Sequence, residues 1–292
     1  MDLHVRHVTR YQYAQPVVFG PHKLMVRPRD SFDLRILETE LDIVPRAELA
    51  WSHDVYGNPV ALATFAEESD RLEITSSLVL RRYGSALFRK PAPSAVAFVP
   101  HYSDGERIVL QPFITPASSD DDGSLANWLS GVLQEPGEAD SLSRLAEAIH
   151  AGFGYSVRYE EGTQSPAATL SLGAGSCRDL AWLFIEAVRR LGYAARFVTG
   201  YLHNATGDAG SNRAAIGLTH AWAEVYVPGD GWVEFDPTNA LVADPHLIRV
   251  AVARVPTDAS PVSGSFTGPV GAQTGLWVGV EITPTQVFAA VA

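Results

Sequence analysis

The segment GAGSCRDLAWLFIEAVRRLGYAARFVTGYL, Gly173 to Leu202, decides how this chain folds. Leu180, Leu183, Phe184, Ala187, Val188 and Leu191 recur at three- and four-residue intervals, which predicts an amphipathic helix with one apolar stripe. Ser176 is a good N-cap. Asp179, three residues on, can return a hydrogen bond to the cap backbone, as a carboxylate form of the capping box. Gly192 stops the helix, and Tyr193 to Leu202 reads as a strand. Cys177, the one cysteine among 292 residues, therefore stands in the first helical turn. The partial positive charge and unpaired N–H groups of a helix start favour a thiolate, and they can also receive negative charge developing on a substrate carbonyl oxygen. Gly173 and Gly175 leave the preceding backbone free to approach closely.

A thiol nucleophile needs a proton shuttle, and nine histidines compete for that role. His220 ranks first because it opens the alternating strand HAWAEVYV, which puts His220, Trp222, Glu224 and Tyr226 on one face and Ala221, Ala223, Val225 and Val227 on the other. A polar, aromatic face of this kind suits a cleft wall, and it also suits a half-exposed sheet. The turn at Pro228 to Gly231 leads into Trp232-Val233-Glu234-Phe235-Asp236-Pro237, where Asp236 could orient the imidazole or simply cap a turn. For Asp236 to share a face with His220, paired residue numbers must have an even sum. That predicts a three- or five-residue connection, or a bulge, between the two strands. Cys177, His220 and Asp236 would then supply attacker, base and orienter for acyl transfer.

Outward from this centre, Leu142, Leu145, Ala146 and Ile149 predict one helix, and Leu125, Trp128, Leu129 and Val132 another. Glu160 to Gly175 reads as a loop rich in Gly, Ser and Pro. The run Ser118-Ser119-Asp120-Asp121-Asp122-Gly123 reads as a solvated linker rather than a cation site. From Leu3 to about Thr115 the pattern is one of short strands and turns, including Tyr56-Gly57-Asn58-Pro59. The fold class expected is α+β: an N-terminal β-rich domain (1–116), a helix-on-antiparallel-sheet core (117–245), and C-terminal strands (246–292) that pack on both.

Hydrophobic residues make up 46% and charged residues 19%, as expected of a folded chain. The 22 basic residues against 33 acidic ones give a net charge of −11, a field that repels nucleic acid. The opening MDLHVRHVTRYQY has no apolar secretory run, and Gly275 to Ala292 is too short and polar to span a bilayer. A lone cysteine allows neither an internal disulfide nor a cysteine-rich zinc cluster, and His4 and His7 have no strong ligand spacing. The expectation is a cytoplasmic protein with no cofactor, metal or membrane partner, for which self-association is open.

The segments Gly173 to Leu202 and Thr219 to Ala240 (THAWAEVYVPGDGWVEFDPTNA) resemble the bacterial transglutaminase-like family of papain-fold thiol enzymes. The strand-rich first half is similar to the β domain that precedes its core, and IRVAVARVPTDASPVSGSFTG, Ile248 to Gly268, to its C-terminal strands. The resemblance implies a cysteine protease or amidase that attacks peptide or side-chain amides through a thioester. Cys177 would be nucleophile, His220 general base and acid, and Asp236 its partner. Transfer to an amine instead of water is the alternative chemistry, and a protein-binding scaffold without activity is the alternative function. Arg178 and Asp179 match the motif, as a salt-bridge former and a helix cap respectively; Leu218 stands where the family usually has an acidic residue. Tyr155 and Gln164 are candidates for the second oxyanion donor, and Trp222 for a cleft wall.

Overall fold

The computed structural model describes residues 1–83, 99–120, 122–133, 141–158, 160–203 and 217–285. Its architecture is α+β. Six strands come first: β1 (Asp2–Phe19), β2 (His22–Leu24), β3 (Leu34–Val44), β4 (Ala47–His53), β5 (Pro59–Phe65) and β6 (Ser69–Arg82). Along β6 the even-numbered residues from Leu72 to Arg82 are buried and the odd ones half-buried, the period-2 signature of a sheet with one covered face. Helices follow: α1 (Asp104–Ile114), α2 (Ser124–Val132), α3 (Ser141–Gly152), α4 (Pro166–Leu172) and α5 (Cys177–Arg190), with the short strands β7 (Gly154–Tyr155) and β8 (Ala174–Gly175) between them. The chain then forms β9 (Ala195–Leu202), β10 (His220–Val227), β11 (Gly231–Asp236), β12 (Leu241–Val242) and β13 (Leu247–Ala253). It ends in β14 (Val262–Ser263), β15 (Phe266–Thr267) and β16 (Gln273–Thr285).

Two of these elements depart from the sequence reading. Residues 104–114, read as part of an all-β half, form α1, which begins in a capping box between Ser103 and Glu106. Pro112 lies inside this helix, where its missing N–H leaves the carbonyl of Ile108 without a helical partner. Ile108 is exposed, so water can satisfy that carbonyl. The loop expected from 160 to 175 contains α4, started by Ser165 as N-cap and Pro166 in the first turn.

The central sheet has the order β12-β11-β10-β9-β13, antiparallel throughout. Helix α5 lies on the face made by Ala221, Ala223, Val225 and Val227, with Phe184 stacked on Phe235 at 5.6 Å between ring centroids. Burying Leu180, Leu183, Phe184 and Val188 contributes about 1.5–3 kcal/mol each. The burial is wider than a stripe: every residue of α5 from Asp179 to Arg189 is buried, because helices cover the side that the sheet does not. The charged residues within that buried stretch are paired. Glu186 accepts hydrogen bonds from the Ala117 and Ser118 backbone, the Ser118 hydroxyl and Arg189.

The N-terminal strands lie against the opposite face. A sheet ordered β15-β1-β6-β3, with β16 also on β1, contributes Leu3, Val5, Leu78 and Leu80 to a core shared with Tyr201, Ile248 and Val250. The Tyr56-Gly57-Asn58 turn reaches the edge strand β13, where the Asn58 side chain donates to the Val252 carbonyl (2.6 Å) and accepts from the Val252 N–H (2.9 Å). An amide side chain thus completes a strand edge that would otherwise be left unpaired.

One close contact within the central sheet concerns Gly200, which pairs with His220 across β9 and β10. A Cβ there would sit 2.1 Å from the Ile248 carbonyl oxygen and 2.7 Å from the Trp222 ring. Gly200→Ala is therefore expected to destabilise the fold by about 1–3 kcal/mol. Urea unfolding measures this, and an unchanged midpoint would refute the packing described.

Candidate active site

Cys177 opens α5 directly after its N-cap Ser176, which is where the cap signal and the apolar periodicity place it. The helix start is held by Asp179. Its carboxylate accepts from the Ser176 N–H and hydroxyl (both 2.8 Å), from the Gln164 N–H (2.7 Å) and from Arg158 Nη1 (2.8 and 2.9 Å). Burial alone would raise the pKa of Asp179, but these hydrogen bonds outweigh it and the carboxyl is lowered below its usual range. Gly175 must be glycine for this knot to close, since a Cβ would lie 2.7 Å from the Asp179 Cβ.

His220 begins β10 and Asp236 ends β11. The connection between those strands has three residues, 228–230, and Val227 pairs with Gly231. The register has the even sum that a shared face requires, and the two side chains meet: Nε2 of His220 lies 2.7 Å from Oδ2 of Asp236. Asp236 also caps its own turn, accepting from the backbone N–H groups of Thr238 (3.0 Å) and Asn239 (3.3 Å) and from the Asn239 amide (2.8 Å). The orienting and turn-capping roles weighed for Asp236 are thus filled by one carboxylate.

Both groups are fully buried. Burial opposes the charge on Asp236, but His220 and the turn donors outweigh it and lower its pKa, so it is ionised. Burial likewise disfavours the imidazolium, yet Asp236 and then Cys177 more than compensate, and the His220 pKa rises to about 10. An ionised carboxylate only accepts, so Nε2 carries a proton. No hydrogen bond engages Nδ1 on the other side of the ring. Cys177 is close enough to His220 to stabilise its charge.

The remaining sequence candidates separate. Tyr155 pairs through β7 with Gly175, two residues before the cysteine, and its hydroxyl feels both Cys177 and Asp236. Partial burial and those two charges push its pKa up to about 12, which keeps the hydroxyl a donor. It is 37% exposed, whereas Cys177 retains 8%, so the tyrosine marks the open side of the site. Gln164 turns its side-chain oxygen to the Thr169 hydroxyl, from which it accepts (3.1 Å), and its backbone N–H donates to Asp179 (2.7 Å). Trp222 is completely buried among Val198, Leu202, Leu247 and Val252 and stacks on His220 at 5.8 Å, so it backs the imidazole and offers no surface to a cleft.

The motif's ion pair is also not where the sequence put it. Among the described residues no carboxylate pairs with Arg178, and the cation on Asp179 is Arg158, 21 residues earlier. Arg158 and His150, whose Nδ1 lies 2.8 Å from the Thr238 carbonyl beside Asp236, are the neighbours that sequence reasoning missed. A His in the last turn of a predicted helix was the available signal for His150; Arg158 left none. Among the described residues there is no cluster of three or more His, Cys, Asp or Glu able to hold a metal, and no helix long and apolar enough to cross a membrane.

Two family models match this architecture, the bacterial transglutaminase-like N-terminal region over residues 3–81 and the transglutaminase-like superfamily over residues 127–237. The chain belongs to the transglutaminase-like superfamily. The second match ends just past Asp236 and encloses Cys177 and His220. An uncharacterized protein of Mycobacterium tuberculosis is 28% identical, over 89% of this chain and 86% of its own. One from Mycobacterium leprae is 26% identical, over 96% and 98%. A solved structure of a candidate cysteine protease from Cytophaga hutchinsonii shares the fold with a TM-score of 0.69, at 20% identity, over 99% of this chain and 92% of that one.

The carboxylate that raises the His220 pKa also links stability to pH. A pKa raised from 6.5 to about 10 contributes stability that is fully present below pH 6.5 and is lost as pH rises toward 10. The protein should therefore lose stability across that alkaline window. Asp236→Asn should flatten the dependence, because burial then acts on the ring without its counter-charge. Thermal unfolding between pH 6 and pH 10 checks both, and parallel curves for the two proteins would contradict the assignment.

Proposed function

We propose that this protein is a cysteine-dependent amide hydrolase acting on peptide or side-chain amides, with Cys177 as nucleophile, His220 as acid and base, and Asp236 as the orienter of the ring. The observation that carries this reading is the 2.7 Å contact from Nε2 of His220 to Asp236, which leaves Nδ1 for a sulfur at a helix start. Family membership supports a thiol enzyme of this class.

In this reading the Cys177 sulfur attacks as thiolate while His220 holds a proton on Nδ1. A C–S bond forms at the amide carbon, and the carbonyl oxygen gains negative charge. That charge is received by the Cys177 N–H in the first helical turn, where backbone donors lack intrahelical partners, and by the Tyr155 hydroxyl. Collapse breaks the C–N bond and Nδ1 gives its proton to the leaving amine. Water then attacks the thioester and passes a proton to Nδ1, and the C–S bond breaks to release a carboxylic acid and restore the thiolate. An amine in place of water would give a new amide.

Cys177→Ala should reduce amide turnover at least about 10³-fold and abolish iodoacetamide labelling. Persistence of turnover would eliminate the proposal. Tyr155→Phe is expected to lower kcat roughly 10- to 10³-fold, with labelling of Cys177 unaffected. An unchanged kcat would remove the tyrosine from the oxyanion site. Running both assays with and without a primary amine reports which acceptor is used.

A further inference from the structure

Three arginines converge on a cavity of about 230 Å³ between the N-terminal strands and the central sheet. Arg29 comes from the N-terminal part, Arg196 from β9 and Arg249 from β13, and the rest of the lining includes Asp30, Tyr56 and Val252. The volume far exceeds the ~10–15 Å³ that one water needs, so the space suits a small molecule. Arg196 pairs with Glu224 across the sheet, four residues along β10 from His220, or about 13 Å, so the cavity is separate from the thiol site.

The cations there have donors to spare. Glu224, fully buried behind them on β10, accepts from Arg196 Nε (2.6 Å) and from Arg249 Nη1. Each of these guanidiniums carries five N–H donors and uses one on that carboxylate. Arg196 lies over the Trp232 ring at 4.1 Å, which fixes its plane. A bulge at Val250 interrupts the β13 register beside Arg249, the kind of irregularity that re-aims a side chain. Arg29 packs against Gly57, where a Cβ would meet its Nη1 at 2.5 Å, and no carboxylate among the described residues pairs with it. Asp30 is the one acidic group in the lining, and one of its oxygens accepts from the Ile36 N–H at 2.6 Å. Glu234 and Asp33 also lie near Arg249, whereas Arg29 has no carboxylate partner among the described residues, in a chain whose net charge is −11. Unused, partly desolvated N–H donors are costly unless an acceptor reaches them, and planar guanidiniums match carboxylate and phosphate oxygens.

We propose that this cavity binds a small molecule through a carboxylate or phosphate group, seated between Arg29, Arg196 and Arg249. The ligand would bridge the N-terminal strands and the central sheet, since its cations come from both.

The test is isothermal titration calorimetry of the full chain near neutral pH with inorganic phosphate and, separately, citrate, against chloride of matched ionic strength. Saturable binding of at least one anion is expected, and the tighter of the two names the group the site takes. Arg29 is exposed and bears no structural pair, so Arg29→Ala should leave the circular dichroism and Tm unchanged while weakening binding at least tenfold. Arg29→Gln, which keeps the stem but not the charge, serves as second variant and should weaken it similarly. Absence of saturable heat with both anions, or affinity in both variants unchanged from that of the unsubstituted protein, would overturn the proposal.

Discussion

Enclosure of α5 on all sides is the constraint on which the rest of the structure depends. A helix buried all round must find a partner for every charge it buries, because an unpaired ion in that setting costs several kcal/mol. Here Asp179 is met by Arg158, Ser176 and Gln164, and Glu186 by Arg189 and the backbone at 117 and 118. These pairings fix where the helix begins, and the position of the Cys177 sulfur follows from that. The sheet adds the second half of the site by register alone: a three-residue connection lets Asp236 and His220 meet, and Trp222 holds the ring from behind.

Asp179 and Asp236 solve the same problem at the two ends of the site. Each is a buried carboxylate that both organises local backbone, a helix start in one case and the turn at 237–239 in the other, and binds one cationic or ionisable side chain. Such double use keeps a buried charge satisfied and pre-organised, so little rearrangement is required when charge moves in the site. It also means that substitution at either position disturbs fold and site together, and activity loss there needs a folding control.

The helix bearing Cys177 was legible in the sequence because its cap, stripe and stop are local signals within about 17 residues. The condition for His220 and Asp236 to share a face was legible as a parity, since a strand alternates faces strictly, but which connection meets it was not. Helix α1 was not, because Pro112 and Pro116 read as strand-and-loop punctuation and the exposed Ile108 and Val109 blur the stripe. Arg158 was missed for a different reason: its partner lies 21 residues away across α4, and no periodicity links the two. Trp222 was placed on the correct face but given the wrong surroundings, since alternation tells which residues share a face and not what covers it.

By itself the sequence determined the fold class, the start of α5, the order of the hairpin strands and the parity their register needs for His220 and Asp236 to share a face, all of which rest on spacing along the chain. Only the tertiary structure decided that Tyr155 stands beside Cys177 while Gln164 is turned to Thr169, that Arg158 and not Arg178 neutralises Asp179, and that Arg29, Arg196 and Arg249, far apart in sequence, line one cavity. Side-chain partners of that kind are chosen by three-dimensional proximity and by the need to neutralise buried charge, and neither quantity is written in local spacing.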